Sequence, residues 1–324
     1  MRQFILSLLA CLCLTAYSQT TSQADLLVEE AQKLESKQDY TTAITQLKQA
    51  DELYVKTGKT QSAERATCLH ILGRCYLNLE RPEGLTYTQM AADMRKTILG
   101  ETDIKYISSL NNIGLYYLTV AKDYPKAAEI HGKTWELCSR IQPRPEQAFM
   151  FHINLARCYI ALGEMDKASA IVEEEIAISK KMYGEKSLSV ARQLQQIGSL
   201  YYLSGRKDVG VTYYEQAFNI FPDDSKEYEQ LLNWISSIYL ELNNQPKVLE
   251  YMKLVEAHNK KELEKPCDEP DCLTERAQYF ASIGDNDKAR AHFLDALKKC
   301  DVNTHKEIVF KVRHYYAQFL SGIQ

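Results

Sequence analysis

The chain repeats a pattern of small and large side chains at intervals of about 42 residues. In each copy a Gly, Ala or Ser is followed three positions later by a Leu, Tyr or Phe, a spacing that places both residues on one face of a helix. The pairs are Ala31 and Leu34, Gly73 and Tyr76, Gly114 and Tyr117, Ala156 and Tyr159, Gly198 and Tyr201, Ser236 and Tyr239, and Ala277 and Phe280. An eighth pair, Ala317 and Leu320, follows 40 positions later. The pattern predicts seven repeated units and a final helix.

A turn and a second apolar-periodic segment follow each of these pairs. A glycine at the turn favours the left-handed backbone that ends a helix, and a small residue five positions later lets two helices approach closely. The turn glycines are Gly163, Gly205 and Gly284, and the small residues that follow are Ala168, Gly210 and Ala289. Between units, Gly100 and Gly184 are predicted to end helices, with Thr102 or Asp103, and Ser187, as the next N-caps. Each unit is therefore predicted to be a pair of helices.

These features resemble the tetratricopeptide repeat, in which a small residue, an aromatic residue, a turn glycine and an alanine recur in this order. The usual period is about 34 residues, so the units here are longer, by about one turn in each helix. This form resembles the repeats of kinesin light chains. The resemblance implies an all-α, right-handed superhelical solenoid of seven helix-turn-helix repeats and a C-terminal capping helix. Residues 19–324 are predicted to form one domain.

The first 18 residues have the layout of a secretory signal peptide. Arg2 precedes an apolar segment from Phe4 to Leu14, and cleavage is predicted after Ser18. The apolar run continues past Cys11, which argues against a lipid anchor there. No later run reaches the ~20 apolar residues of a membrane-spanning helix. We therefore expect an exported protein, periplasmic or secreted, that is soluble after cleavage.

Charge and motifs narrow the possible functions. The net charge is −4 and no basic run is present, which argues against nucleic acid as a partner. The sequence contains no HExxH, GxSxG or phosphate-binding glycine loop, so we expect no enzyme activity, no cofactor and no metal site. His131 and His152 are expected to be packed, neutral side chains, and the acidic run at 173–175 is expected to form a solvated face.

The cysteines leave one disulfide question open. Cys68 and Cys75 lie seven positions apart on one predicted helix, about 10 Å, which is too far for a disulfide. Cys75, like Cys158, is expected to be a small buried apolar residue. Cys267 and Cys272 flank a proline-rich connection and form one candidate disulfide, while Cys300 is a rival partner because its helix should end close to Cys272.

The first helices of such a solenoid line its concave side, which makes their inner positions the candidate binding site. The residues predicted there are Arg74, Asn111, Asn112, Asn154, Arg157, Arg192, Gln195, Gln196, Tyr202, Asn233 and Trp234. In the kinesin light chain family the second Asn of an LNN motif contacts the backbone of an extended peptide, and residues 110–112 match this motif. Amides both donate and accept hydrogen bonds, and the arginines favour an acidic ligand. The alternatives are that these side chains are simply solvated, and that Trp234 belongs to the core.

Three functions are compatible with these sequence features. The first is an exported, non-enzymatic scaffold that binds a protein or peptide segment, extended and acidic, in the groove. The second is an extracytoplasmic sensory module that binds a ligand and signals to a membrane partner. The third, an enzyme, has no motif in its support.

Overall fold

The computed structural model of the protein describes residues 23–264, 267–300 and 306–322. The predicted signal peptide and Cys11 lie outside these residues. The chain forms two compact units, one that ends at Ile220 and one that starts at Phe221. Within the described ranges, no helix combines the length and the apolar character needed to cross a bilayer. A single domain over residues 19–324 stays a prediction.

The first unit contains five helix pairs, and from α2 onward each helix packs against the next. Its helices are residues 23–36 (α1), Tyr40–Lys56 (α2), Ala63–Asn78 (α3), Glu83–Leu99 (α4), Ile104–Leu115 (α5), Tyr124–Ser139 (α6), Ala148–Ala161 (α7), Met165–Tyr183 (α8), Leu188–Leu203 (α9) and Lys207–Phe218 (α10). The odd-numbered helices carry the small residues of the repeated pattern. These are the predicted first helices.

The second unit contains two further pairs and a final helix. Its helices are Lys226–Glu241 (α11), Gln245–Glu264 (α12), Pro270–Ser282 (α13), Asn286–Lys299 (α14) and Lys306–Gly322 (α15). α11 packs on α12, and α13, α14 and α15 pack on one another around a core that includes Leu273, Phe293 and Val312. The all-α architecture of seven pairs followed by one helix is confirmed.

Each turn inside a pair contains one residue with a positive φ angle. The angles are 65° at Gln38, 53° at Glu80, 53° at Lys122, 78° at Gly163, 84° at Gly205, 54° at Asn243 and 81° at Gly284. The three glycines confirm the prediction. The other four turns adopt the same conformation without glycine. Asn243 is a residue type that tolerates it, whereas Gln38, Glu80 and Lys122 adopt it at a cost of about 1–2 kcal/mol each, so these three turns carry no comparable sequence signal.

The third pair takes up one additional residue in its first helix. In the other six pairs the positive-φ residue follows the small residue by seven positions, but Lys122 follows Gly114 by eight. α5 continues into a π-helical segment, Tyr116–Val120, in which the Ala121 amide donates to the Tyr116 carbonyl at 3.0 Å. A π-turn absorbs one residue without ending a helix. The additional residue therefore widens the end of the first helix and leaves the second helix regular.

The small residues lie where the two helices of a pair come closest. A Cβ atom on Gly73 would lie 2.2 Å from Thr88 Oγ1, and a Cβ atom on Gly198 would lie 2.7 Å from the Tyr214 ring. Ala156 is fully buried at the equivalent position. Only a small residue fits such contacts, so the predicted role is confirmed at these positions.

Four of the large residues of the pattern, Tyr76, Tyr201, Tyr239 and Phe280, pack against rings on the second helix. Tyr76 stacks on Tyr87 with ring centroids 5.5 Å apart, and Tyr201 stacks on Tyr213 at 5.6 Å. Tyr201 is 1% exposed. These tyrosines are packing residues, as predicted.

The longer connections between pairs have the predicted caps. Gly100 and Gly184 end α4 and α8, each with a φ angle of 87°. Ser187 caps α9, and Asp103, not Thr102, caps α5. Side-chain oxygens at these N-caps accept hydrogen bonds from backbone amides that have no partner inside the helix.

The acidic run at 173–175 is not entirely a solvated face, so that expectation is wrong for Glu175. Glu173 and Glu174 are exposed, but Glu175 is fully buried. Its Oε2 accepts from Arg144 Nη2 at 2.5 Å, and its Oε1 lies 2.8 Å from His152 Nδ1. A buried carboxylate requires such partners. This cluster ties the loop before α7 to α7 and α8.

Both histidines singled out in the sequence are packed. His152 stacks on Trp135 with ring centroids 3.8 Å apart. His131 is fully buried, and its ring fills the space beside Gly114, where a Cβ atom would lie 2.7 Å away. Burial lowers the pKa of His131 to about 4, which keeps the imidazole neutral at physiological pH.

A disulfide joins Cys267 to Cys272, with Cα atoms 6.0 Å apart. Cys300, the rival partner, is a free and partly buried thiol. Cys75 and Cys158 are free and buried, and burial raises the pKa of each thiol to about 12. Thiols of this kind are unreactive at neutral pH, in accord with a packing role.

Candidate functional site

The first unit has a hollow of about 650 Å³ between α7, α9 and the π-helical end of α5. The residues around this central hollow include Leu118, Thr119, Met150, Arg157, Gln196 and Leu203. Met150 is 44% exposed and Leu203 is 82% exposed. Exposed apolar side chains around a concave surface with a few polar groups are typical of a binding site.

Arg157 is the charged residue of the central hollow. Its side chain is half-buried, and burial lowers its pKa. Nη1 donates to Asn154 Oδ1 at 3.2 Å, but no carboxylate in the described chain pairs with the guanidinium. A partly desolvated cation without an anionic partner gains more from an incoming anion than a fully solvated one does. Arg157 is therefore the group that best fits an acidic ligand.

Asparagines from α5 and α7 form a hydrogen-bonded chain that ends at Arg157. Asn154 Nδ2 donates to Asn111 Oδ1 at 2.8 Å, and Asn154 Oδ1 accepts from the arginine. Asn111, Asn112 and Asn154 are 9%, 5% and 2% exposed, respectively. Asn112 Nδ2 has no hydrogen-bond partner among the described residues. The three amides are thus brought together, but those of Asn111 and Asn154 bond to each other across two first helices, and Asn154 also holds Arg157 in place.

Arg74 does not belong to the central hollow. Its guanidinium pairs with Glu35 through two hydrogen bonds, from Nε at 2.5 Å and from Nη2 at 2.6 Å. Glu35 raises the pKa of Arg74 through these bonds. The charge of Arg74 is therefore already matched within the protein.

The remaining predicted groove residues have different environments. On α9, Arg192 and Gln196 are exposed, while Gln195 and Tyr202 are partly buried; of these four, Gln196 lines the central hollow. In the second unit, Asn233 and Trp234 lie on α11 and both are exposed. Trp234 is 54% exposed, which rules out the core position.

Sequence reasoning missed Leu118 and Thr119, the residues that the π-helical segment contributes. A signal for them exists, because the third repeat has one more residue before its turn than the others. That signal indicates an irregular helix, but it does not reveal which side chains turn toward α7.

A hydroxyl and an imidazole also meet in the first unit, at Ser109 and His70. His70 Nδ1 lies 3.2 Å from Ser109 Oγ, and Arg95 Nη1 donates to the same oxygen at 2.9 Å. Ser109 is fully buried, and desolvation lowers the pKa of His70 well below its usual value. This pair is packed out of reach of a substrate. In the part of the chain that the structure describes, no three His, Cys, Asp or Glu side chains are grouped to hold a metal ion.

Residues 146–223, which include α7 to α10 and so two borders of the central hollow, match the family model of the tetratricopeptide repeat. Over these residues the chain carries tetratricopeptide repeats. The predicted resemblance is confirmed, and the central hollow lies between the first helices of the third, fourth and fifth helix pairs, of which the fourth and fifth fall within the matched residues. No curated protein matches the chain in sequence.

Several solved structures share the fold at low identity. The putative kinesin light chain repeats of Podosopora anserina are 18% identical, with 63% of this chain and 95% of that chain aligned and a TM-score of 0.52. Aspartyl phosphate phosphatase F from Bacillus subtilis is 16% identical, with 90% and 74% aligned and a TM-score of 0.57. The Rap conjugation gene regulator of plasmid pLS20, solved in complex with the Phr* peptide, is 13% identical, with 91% and 74% aligned and a TM-score of 0.51.

Proposed function

We propose that the protein is a non-enzymatic scaffold whose central hollow binds an extended, acidic segment of a protein partner. The observation that carries the proposal is Arg157, a half-buried guanidinium without a carboxylate partner in the described chain. A ligand carboxylate at this point would form a charge-assisted hydrogen bond in a partly dry environment, where such bonds are strongest.

The other residues of the central hollow suit a peptide. Gln196 is exposed on α9, so its amide can both donate to and accept from a peptide backbone. Met150 and Leu203 offer exposed apolar surface to side chains of the ligand. The pLS20 regulator, which shares the fold, is a precedent for a peptide ligand.

A peptide array tests the proposal. The probes are synthetic peptides rich in Asp and Glu, each paired with a version in which Gln and Asn replace the acids. The protein should retain acidic peptides and lose them with Arg157→Glu. The matched control is Arg140→Glu, because Arg140 is exposed at the end of α6 and pairs with Glu136. Equal retention by both variants, or no preference for the acidic member of each pair, would reject the proposal.

Export is a separate part of the proposal and is supported by the layout of residues 1–18. Expression of the full chain in a bacterium, followed by fractionation and mass spectrometry, should yield an extracytoplasmic product that begins at Gln19. A product with an intact N-terminus in the cytoplasmic fraction would reject export. It would not affect the proposal that the central hollow binds a peptide.

A further inference from the structure

α15 has the register of a first helix, but none of the described helices packs on it as a second helix. Ala317 and Leu320 continue the series of small and large residues that α13 carries as Ala277 and Phe280. In α13 the small residue is fully buried, because α14 packs over it. In α15 the small residue is exposed and Leu320 is 40% exposed.

The exposed face of α15 extends along the whole helix. Phe310 precedes the small residue by seven positions and is 75% exposed. The residue at the same register is buried in six of the seven earlier first helices: Ala24, Ala66, Ile107, Phe149, Ala191 and Pro270. The exception is the exposed Glu229 of α11. The opposite face of α15 holds Val312 and Phe319, which are buried against α13 and α14. The helix is therefore well anchored, and only the face that a second helix normally covers remains open.

We propose that this α15 stripe, formed by Phe310, Arg313, Ala317 and Leu320, docks an amphipathic helix from a protein partner. Six of the seven pairs of this chain show what covers such a face: a helix with an Ala or Gly opposite the small residue and apolar side chains beside it; α12 has Val248 at this position. Arg313 is exposed, and no carboxylate in the described chain pairs with it. The docked helix should therefore carry an acidic residue that faces Arg313.

A helical peptide with the sequence of residues 285–299 provides the probe. This segment is the second helix that covers Ala277 and Phe280 in α13. If it packs on α15 in the same antiparallel way, its Asp295, six positions after Ala289, lies on the side toward Arg313. A side-chain lactam should hold it helical, because a free peptide of this length is only marginally helical in water. Fluorescence anisotropy of the labelled peptide with the full chain measures the affinity.

We expect saturable binding that Phe310→Glu and Ala317→Glu each weaken by at least about tenfold, as for central residues of an interface. Leu249→Glu is the control, because Leu249 is 59% exposed on α12 and lies outside the stripe. Circular dichroism should be unchanged in all three variants, since substitutions at exposed positions rarely alter stability by more than about 0.5 kcal/mol.

Three results would overturn the proposal. One is the absence of saturable binding up to the solubility limit of the peptide. Another is an affinity of the peptide for Phe310→Glu that equals its affinity for the parent protein. The third is a dimer of the free protein in sedimentation experiments that Phe310→Glu dissociates, because the stripe would then belong to a second copy. A peptide with Asn in place of its aspartates should bind more weakly than the original peptide. Equal affinities of the two peptides would show that the docked helix needs no acidic residue opposite Arg313.

Discussion

Replacing Gly198 with alanine tests the close contact between paired helices. The added Cβ would lie 2.7 Å from Tyr214 Cδ1. Tyr214 is 1% exposed and its hydroxyl donates to Ser199 Oγ at 2.9 Å, so the ring has little room to move. Overpacking of this kind costs about 1–3 kcal/mol. Alanine also has a higher helix propensity than glycine, by about 1 kcal/mol, so the two effects oppose each other.

Gly132→Ala separates these effects. Gly132 lies inside α6, and nothing lies within 4 Å of a Cβ added there. This variant should gain only from the higher helix propensity of alanine, and it should be more stable than the parent protein by about 0.5–1 kcal/mol. The difference between the two variants therefore isolates the overpacking cost, with Gly198→Ala the less stable by about 1–3 kcal/mol. Urea unfolding followed by circular dichroism measures both. Equal shifts of the two midpoints would refute the close helix contact.

Three further perturbations address individual packing and charge contacts. Tyr201→Ala removes a ring that is 1% exposed and stacked on Tyr213, so the free energy of unfolding should fall by about 3–5 kcal/mol; an unchanged urea midpoint would contradict this packing. Because the pKa of His131 is lowered to about 4, only the unfolded state takes up the proton between about pH 6.5 and pH 4, so stability should fall over this range, by up to about 3 kcal/mol. His131→Leu should flatten this part of the pH profile of the urea midpoint, and a profile as steep as that of the parent would argue against a neutral imidazole. Glu175→Gln removes the charge between Arg144 and His152 and should cost about 3 kcal/mol, whereas Glu174→Gln at an exposed position should change stability by less than about 0.5 kcal/mol; equal thermal melting temperatures would show that the buried cluster contributes nothing.

The fold was predictable because its main signals are periodic. Gly73, Ala156 and Gly198 recur at one register, and the contact that they make requires a small residue, so a single sequence reveals both the repeat and its packing. The turns were predictable only where glycine occupies the left-handed position, as at Gly163. Glu80 and Lys122 adopt the same backbone without glycine, since neighbouring helix contacts outweigh a local cost of about 1–2 kcal/mol.

The candidate site was less predictable because neighbouring side chains decide which polar groups face a ligand. Arg74 and Arg157 occupy the same register in their repeats, yet Glu35 neutralises the first and no described carboxylate neutralises the second. Asn154 was predicted to line the groove, but its amide is bonded to Asn111 and Arg157. Such partners come from different repeats, and register alone does not reveal them.

The central claim is that the Arg157 guanidinium pairs with a carboxylate of the ligand. The substitution Asn154→Asp tests this claim most directly. This substitution places a carboxylate 3.2 Å from the guanidinium and thereby supplies the anion internally. Titration of an acidic peptide from the array, and of its amide version, against both proteins gives a double-mutant cycle. The acidic peptide should bind the parent at least about tenfold more tightly than its amide version does, a difference of about 1.4 kcal/mol, and this preference should vanish in Asn154→Asp. An equal preference for the acidic peptide in both proteins would contradict the claim.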